Sequence, residues 1–394
     1  MGKSPDTSDV IVVGGGAIGL SIAWQLVREG VRVAVLERGR CGREASWAGA
    51  GILKHGNWRR TDPLFQLRRR SLQDYERFAT ELHDRTGIDP QYVRCGSLEL
   101  LLDKRQHAAA LAETQAAEAY RGEYGRPVVE VLSPEQARRC EPKLAADLTG
   151  LKHYPITAQV RSPRLMQALV AACRAEGVEI VEHAEVRDLI RDGDRVTGVR
   201  SLLGNHSCKH VVLAAGAWSS QLDPRLEELM PVRPVRGQVV LLEMQPRPFA
   251  CVIERGKHYL VPRLDGRILV GATEEHDAGY EKRTTAAGVG DLLAFARWVV
   301  PALAEAALVG AWCGLRPGTP DGRPDLGPVP GADGLLVATG HFRSGLVLAP
   351  VTARIITDLI VRGRASIPVD LGSFAPGRQA DKRDHAAIMT LFQT

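Results

Sequence analysis

Apolar positions near the start of the chain change period twice. DVIVV, residues 9–13, is a continuous apolar run of strand length that closes on glycines. Ile18, Ile22 and Leu26 then recur at helical spacing, and VRVAVL is a second apolar run ending at Glu37. Strand, glycine turn, helix and strand in that order predict one βαβ unit. Leu64, Leu67, Tyr75, Phe78 and Leu82 fall on one face of a helix that Asp62 and Pro63 would open, which leaves Arg68-Arg69-Arg70 expected on a solvated face. Ser162-Pro163 is expected to cap a helix with Leu165, Leu169, Ala172 and Cys173 inward, stopped at Gly177.

Alternation with period 2 takes over afterwards. VEIVEHAEVRDLIRDGDRVTGVRSL turns at Asp192-Gly193 and leads to HVVLAAGAWSSQL, a buried strand ending in small residues. Gly14–Gly19 and Ala214–Gly216 are thus two glycine-rich strand ends, expected side by side at the carboxyl edge of one sheet, where open α/β sheets bind ligands. From Pro231 onward, PVRGQVVLLEM, CVIERGKHYLVPR and GRILVGATEE are short alternating strands that predict a separate antiparallel sheet, followed by a helix near Val289–Trp298. GLRPGTPDGRPDLGPVPG, from Gly314 to Gly331, is a poor helix and an interrupted strand carrying Arg316. LLVATGHFRSGLVLAPVTARIITDLIVRG then predicts strand, turn and a long apolar helix whose amino terminus is flanked by Gly340 and Gly345. The expected fold class is α/β, a Rossmann-like cofactor domain with an inserted antiparallel-sheet substrate domain. Residues 1–85, 150–228 and 310–375 are assigned to the first, 86–149 and 229–309 to the second, and 376–394 to a tail.

Composition changes this picture little. The 394 residues are 44% apolar and 25% charged with a net charge of +5, ordinary for a globular chain. Seven cysteines, scattered and never in a CxxC pair, suggest neither a disulfide framework nor a zinc ribbon, and point to a reducing, cytoplasmic setting. No leader pattern opens the chain, and the apolar run Val10–Trp24 is too short to span a bilayer, so no membrane partner is expected. The absence of a basic stripe argues against nucleic acid. No metal is expected, because Glu275, His276 and Asp277 are consecutive and their side chains point apart.

The first turn carries GxGxxG as Gly14, Gly16 and Gly19, with Glu37 at the end of the second strand. Gly14 permits the tight turn, Gly16 lets a pyrophosphate approach the backbone, and Gly19 lets helix and strand pack closely. A carboxylate at Glu37 accepts ribose hydroxyls and repels a 2′-phosphate, which disfavours NADP. FAD and NAD are not separated by this fingerprint. The following segment RGRCGREASWAGAGIL is dense in small residues and suits either close passage along an extended ligand or a plain connecting loop.

VIVVGGGAIGLSIAWQL, GREASWAGAGIL, VVLAAGAWS, PVRGQ, YLVPR with GRILVGAT, GLRPGTPDGRPDLGPVPG and GHFRSGLVLAP, in that order from Asp9 to about Gly372, resemble the FAD-dependent D-amino-acid oxidase superfamily, and most of all the glycine oxidases of thiamin biosynthesis. The resemblance implies that superfamily's glutathione-reductase-like fold and FAD bound without a covalent link. The cofactor residues it implies are Gly14, Gly16, Ala17, Ile18 and Gly19 with Glu37 and Arg38. Arg43, Glu44, Ala45, Ser46, Ala48, Gly49, Ala50 and Gly51 would run along the flavin. Val186, Ala214, Ala215, Gly216 and Trp218 come from mid-chain, and Gly314, Arg316, His341, Phe342, Arg343, Ser344, Gly345 and Leu346 from the end. It also makes Arg316 a bidentate clamp on a substrate carboxylate, Tyr259 the phenol beside it, and Arg343 a second basic group lining the pocket.

Those types suit amine oxidation. Hydride transfer from the α-carbon to a flavin asks the protein mainly for alignment, and a planar guanidinium fixes the angle of a carboxylate as well as its distance. No side-chain base is required if the amine arrives neutral, and the helix start at Ser344–Leu346 would stabilise an anionic reduced flavin. On the residues alone, Arg316 could instead cap carbonyls of its own loop and Arg343 could pair with an acid. Cys313 is read as an apolar thiol, not a covalent flavin link. Glu274 departs from the apolar residue expected after GAT. The implied activity is oxidation of glycine, sarcosine or another small N-substituted glycine or D-amino acid, with O2 as acceptor and hydrogen peroxide as product. A homo-oligomer is compatible with it. A dehydrogenase passing electrons to a quinone or carrier, an oxidase of a larger N-carboxymethyl amine in secondary metabolism, and a flavin-fold domain acting on modified tRNA are the alternative readings.

Overall fold

Val10–Val13 and Val33–Leu36 lie side by side as parallel strands joined by the helix Ala17–Arg28, so the βαβ unit forms where the apolar periods place it. The structure is a computed structural model that describes residues 8–145 and 150–378. Six strands make the sheet around this unit, in the order Asp325–Pro328, Leu335–Thr339, His210–Leu213, Val10–Val13, Val33–Leu36, Glu179–Val181; the first is antiparallel to its neighbour and the rest are parallel. Val13 stands opposite both Leu36 and Leu213, so the turns after all three strands open at one edge.

The helices Ala17–Arg28, Pro63–Thr86, Ser162–Ala175 and Gly345–Arg362 cover one face. Ile22, Leu26, Leu67, Tyr75, Leu82, Leu165, Leu169, Leu348, Ile355 and Ile356 there are fully buried, each contributing about 1.5–3 kcal/mol of transfer free energy. Phe342–Arg362 is long and apolar enough to cross a membrane by length and composition, and most of it is buried against these neighbours. Asp62 caps Pro63–Thr86 by accepting from the amides of Leu64 and Phe65. Ser162 does not cap its helix. Arg161 occupies the cap position, and the Ser162 hydroxyl donates to the Gly49 carbonyl at 2.6 Å, tying the helix to the small-residue segment.

A second, eight-stranded sheet follows the order Ala307–Gly318, Arg233–Glu243, Arg267–Gly271, His258–Pro262, Val252–Arg255, Ser97–Leu101, Gly150–Tyr154, Glu130–Leu132. All pairings are antiparallel except that of Val252–Arg255 with Ser97–Leu101. The helix Ala286–Val299 packs on it, its Leu292 and Ala296 fully buried. Gly150–Tyr154 and Ala307–Gly318 hydrogen-bond within this sheet, so the divisions expected at 150 and 310 fall at its strands rather than between the two sheets. Of the expected tail, residues 379–394 lie outside the described residues.

One expectation about charge is corrected. Arg69 and Arg70 do lie on the outer face, Arg69 paired with Glu123 at 3.0 Å, but Arg68 turns inward and donates to the Ser344 hydroxyl. The reason is helical phase: Arg68 is four residues after Leu64 and three before Ser71, both buried.

Candidate active site

A cleft of about 670 Å³ runs from the glycine turn of the six-stranded sheet to the face of the eight-stranded sheet. Gly14 has φ +110°, and a Cβ there would stand 2.5 Å from the Ala214 carbonyl oxygen. Only glycine lets the two strand ends come this close. Glu37 is buried, and its carboxylate accepts from the amides of Gly15 at 2.7 Å and Gly39 at 2.9 Å, which fixes it at the edge of the cleft. Gly16 begins the helix with no side chain to cap it, and the Ala17 amide donates to Ser46 Oγ at 2.9 Å. A side-chain-free helix start, a bare glycine turn and an amide-held carboxylate at this spacing fit a dinucleotide diphosphate and its ribose.

Most residues singled out from the sequence line this cleft: Gly14, Gly16, Ala17, Ile18, Glu37, Arg38, Glu44, Ala45, Ser46, Ala48, Gly49, Ala50, Gly51, Val186, Ala214, Ala215, Gly216, Trp218, Tyr259, Gly314, Arg316, His341, Phe342, Arg343, Gly345 and Leu346. Three do not. Arg43 is exposed and outside the lining; Gly19 packs under the turn against the Gly14 carbonyl; Ser344 sits behind the wall as the partner of Arg68. At one end the Arg38 guanidinium lies 3.4 Å from the centre of the Trp218 ring and bonds Glu44 at 2.8 Å, while Lys282 reaches Glu44 at 3.0 Å. Cys313 is absent from the lining, and burial pushes its thiol up, both unfavourable for a covalent flavin link.

At the other end stands Arg316. Strand register sets Gly314 opposite Gly237, and the Arg316 side chain folds back over the bare backbone of Gly237. Its Nη1 donates to the Thr273 carbonyl at 3.2 Å, and the guanidinium stands beside the Tyr259 phenol. Burial raises the Tyr259 phenol above its ordinary range, against the pull of Arg316 and Arg343, so it stays protonated as a donor. Arg343 forms an ion pair with Glu274, the acid the sequence placed after GAT. Burial pushes the Glu274 carboxyl up, but Arg343, with His276 and Arg316, outweighs it and holds the group below the usual carboxylate range. His341 is driven down to about 3 by burial and bonds Thr352 at 3.1 Å, so it is neutral and no acid or base near pH 7.

A Cβ on Gly237 would fall inside the van der Waals envelope of the Arg316 guanidinium. Gly237→Ala is therefore expected to retain FAD while lowering kcat/KM about 100-fold or more, because the Arg316 guanidinium is pushed away from Tyr259. Flavin absorbance and steady-state kinetics check this, and wild-type turnover would refute it.

Sequence reasoning missed a row of charges beside Tyr259. Register carries the cleft face from Val239 through Gly271, Tyr259, Glu254 and Glu99 to Lys152. Lys54 bonds Glu254 at 2.5 Å and Glu99 at 3.0 Å; Lys152 bonds Glu99 at 2.8 Å and Glu113 at 3.2 Å. Burial opposes charge on Glu99, yet Lys54 and Lys152 hold its carboxyl at about 2. The one legible signal was Lys54, a lone charge following the apolar GAGIL.

Comparison with known proteins agrees with this geometry. A family model described as FAD dependent oxidoreductase (DAO) matches residues 9–359. A glycine oxidase of Pseudomonas aeruginosa is 41% identical over 373 residues, covering 93% of this chain and 98% of that one. The crystal structure of glycine oxidase from Geobacillus kaustophilus superposes with a TM-score of 0.87 at 33% identity, over 95% of this chain and 100% of the other. That of an iminodiacetate oxidase from Chelativorans gives 0.84 at 26% identity, over 93% and 98%.

Proposed function

We propose, for a chain that belongs to the FAD-dependent oxidoreductase (DAO) family, that the substrate of its FAD-dependent amino-acid oxidation is glycine or a small N-substituted glycine such as sarcosine. Molecular oxygen is the acceptor. Glycine, O2 and water give glyoxylate, ammonia and hydrogen peroxide. One observation carries the reading. Arg316, a half-buried guanidinium with no ion pair among the described residues, faces the cleft beside a protonated phenol.

Bound FAD supplies the two-electron acceptor for the Cα–H bond. Gly14, Gly16 and Glu37 would hold its adenosine diphosphate, and Ala45–Gly51 with Gly345 and Leu346 its ring end. Arg316 binds the substrate carboxylate through two parallel donors, and Tyr259 adds a third, so the α-carbon is fixed in both position and rotation. The neutral His341 takes no proton. Deprotonation of the amine therefore falls to solvent before binding, and the Glu274 carboxylate is kept occupied by Arg343 instead of competing for the substrate ammonium.

Glycine, sarcosine and D-alanine should each bleach the yellow enzyme anaerobically, and peroxide should form on readmitting air. Failure of all three to bleach it rejects the substrate class. Bleaching with dye reduction but no peroxide rejects oxygen as acceptor.

A further inference from the structure

Four arginines line the substrate end of the cleft, and two carboxylates are shared among them. Arg60 Nε holds Asp62 Oδ2 at 2.5 Å, and Asp62 Oδ1 is already taken by the amides of Leu64 and Phe65. Arg343 is paired with Glu274. Arg316 and Arg68 have no carboxylate partner among the described residues. Arg316 is accounted for by the α-carboxylate of the substrate. Arg68 is not: it donates through Nη2 to the Ser344 hydroxyl, and its buried Nε has no hydrogen-bond partner.

A guanidinium whose Nε is buried without a hydrogen-bond partner is costly to a fold, because that donor has lost its water and gained nothing equivalent. Burial pulls Arg68 down to about 10, with Arg60 and Arg343 adding repulsion that the attraction of Asp62, itself bonded to Arg60, only partly offsets. Among the described residues, the opposite imbalance is absent from the cleft. Glu37 is held by amides, Glu44 by Arg38 and Lys282, Glu99, Glu113 and Glu254 by Lys54 and Lys152, and Glu185 by Arg187. The unspent hydrogen-bonding capacity of this wall is cationic. A continuous set of contacts joins it to the clamp, from Arg316 to the Thr273 carbonyl, through the neighbouring Glu274 to Arg343, and through the neighbouring Ser344 to Arg68.

We propose that Arg68, held from behind by the Ser344 hydroxyl, forms a second anion subsite, and that the substrate this enzyme prefers is an amino dicarboxylate, one carboxylate on Arg316 and Tyr259 and the other on Arg68. The turnover half of this rests on the amine-oxidase reading above; the binding half does not. The chemistry is unchanged by the second group. Iminodiacetate, O2 and water give glycine, glyoxylate and hydrogen peroxide; D-aspartate, O2 and water give oxaloacetate, ammonia and hydrogen peroxide.

Calorimetric titration of the holoenzyme with succinate, malonate and acetate, none of which can be oxidised as an amine, tests the subsite directly. The better dicarboxylate is expected to bind about 10-fold or more tighter than acetate, the increment of one charge-assisted contact. Arg68→Met should bring that ratio close to one, and Arg68→Lys, which keeps the charge but loses the fork, should recover part of it. In turnover, the kcat/KM ratio of iminodiacetate or D-aspartate to glycine should fall in the same order. Equal binding of acetate and both dicarboxylates by the unaltered enzyme overturns the proposal without any variant. So does a ratio untouched by Arg68→Met, or loss of FAD from that variant with the ratio intact, which would make Arg68 a cofactor ligand. Arg68-dependent binding of succinate by an enzyme that oxidises no amine upholds the subsite and rejects the reaction.

Discussion

Replacing Arg316 with leucine is expected to lower kcat/KM for glycine about 1,000-fold while FAD content and fold are retained. Removing one partner of a buried, hydrogen-bonded charge pair costs about 2–5 kcal/mol, and every ~1.4 kcal/mol is a factor of ten. Leucine fills the space over Gly237 and relieves the free protein of a half-buried cation, so stability should hold or rise. Arg316→Lys keeps the charge without the fork and should retain roughly 10-fold more activity than the leucine variant. Steady-state kinetics of both proteins, normalised to flavin absorbance, decide the matter. If leucine costs less than about ten-fold, no carboxylate is clamped there and the orientation argument fails.

The second large effect is expected at Gly14. Alanine there must adopt φ +110° and place its Cβ 2.5 Å from the Ala214 oxygen and 2.8 Å from its carbonyl carbon, both backbone atoms of the neighbouring strand end. Neither can rotate away. The turn must open, and the diphosphate cradle opens with it. Strain of a few kcal/mol at the turn corresponds to FAD binding weakened by about 100-fold or more, so Gly14→Ala should purify largely colourless. Gly30→Ala is the control: Gly30 also has positive φ, +80°, but a Cβ there meets nothing, so only modest stability should be lost. Fluorescence titration of the two apoproteins with FAD separates collision from backbone strain. Equal affinities would refute the cradle.

Much of the scaffold was readable from periodicity because it is local. The runs at 10–13 and 33–36, the helical spacing of Ile22 and Leu26, and the glycines between them can bury their apolar faces only as a βαβ unit. Arg68 was equally local, since its spacing from Leu64 and Ser71 places it on the buried face. It escaped notice because three consecutive arginines suggest a single solvated face, whereas a helix turns successive residues about 100° apart. Ser162 escaped for the opposite reason: a serine before proline is a good cap, and only the passing Gly49 carbonyl drew its hydroxyl away.

The chain by itself determined the glycine-turn end of the cleft, where shape follows from backbone conformation at Gly14 and Gly16 and from one carboxylate at a strand terminus, features set by residues within thirty positions of one another. Tertiary structure alone decided the Arg316 end. Arg316 reaches the cleft because it folds over Gly237, 79 residues away, and Glu274 is committed to Arg343, 69 away. Lys54 meets Glu254 across 200 residues and Arg68 meets Ser344 across 276. The partners of a buried charge are chosen by strand register and helix packing, and register is a property of the assembled sheets, not of any one segment.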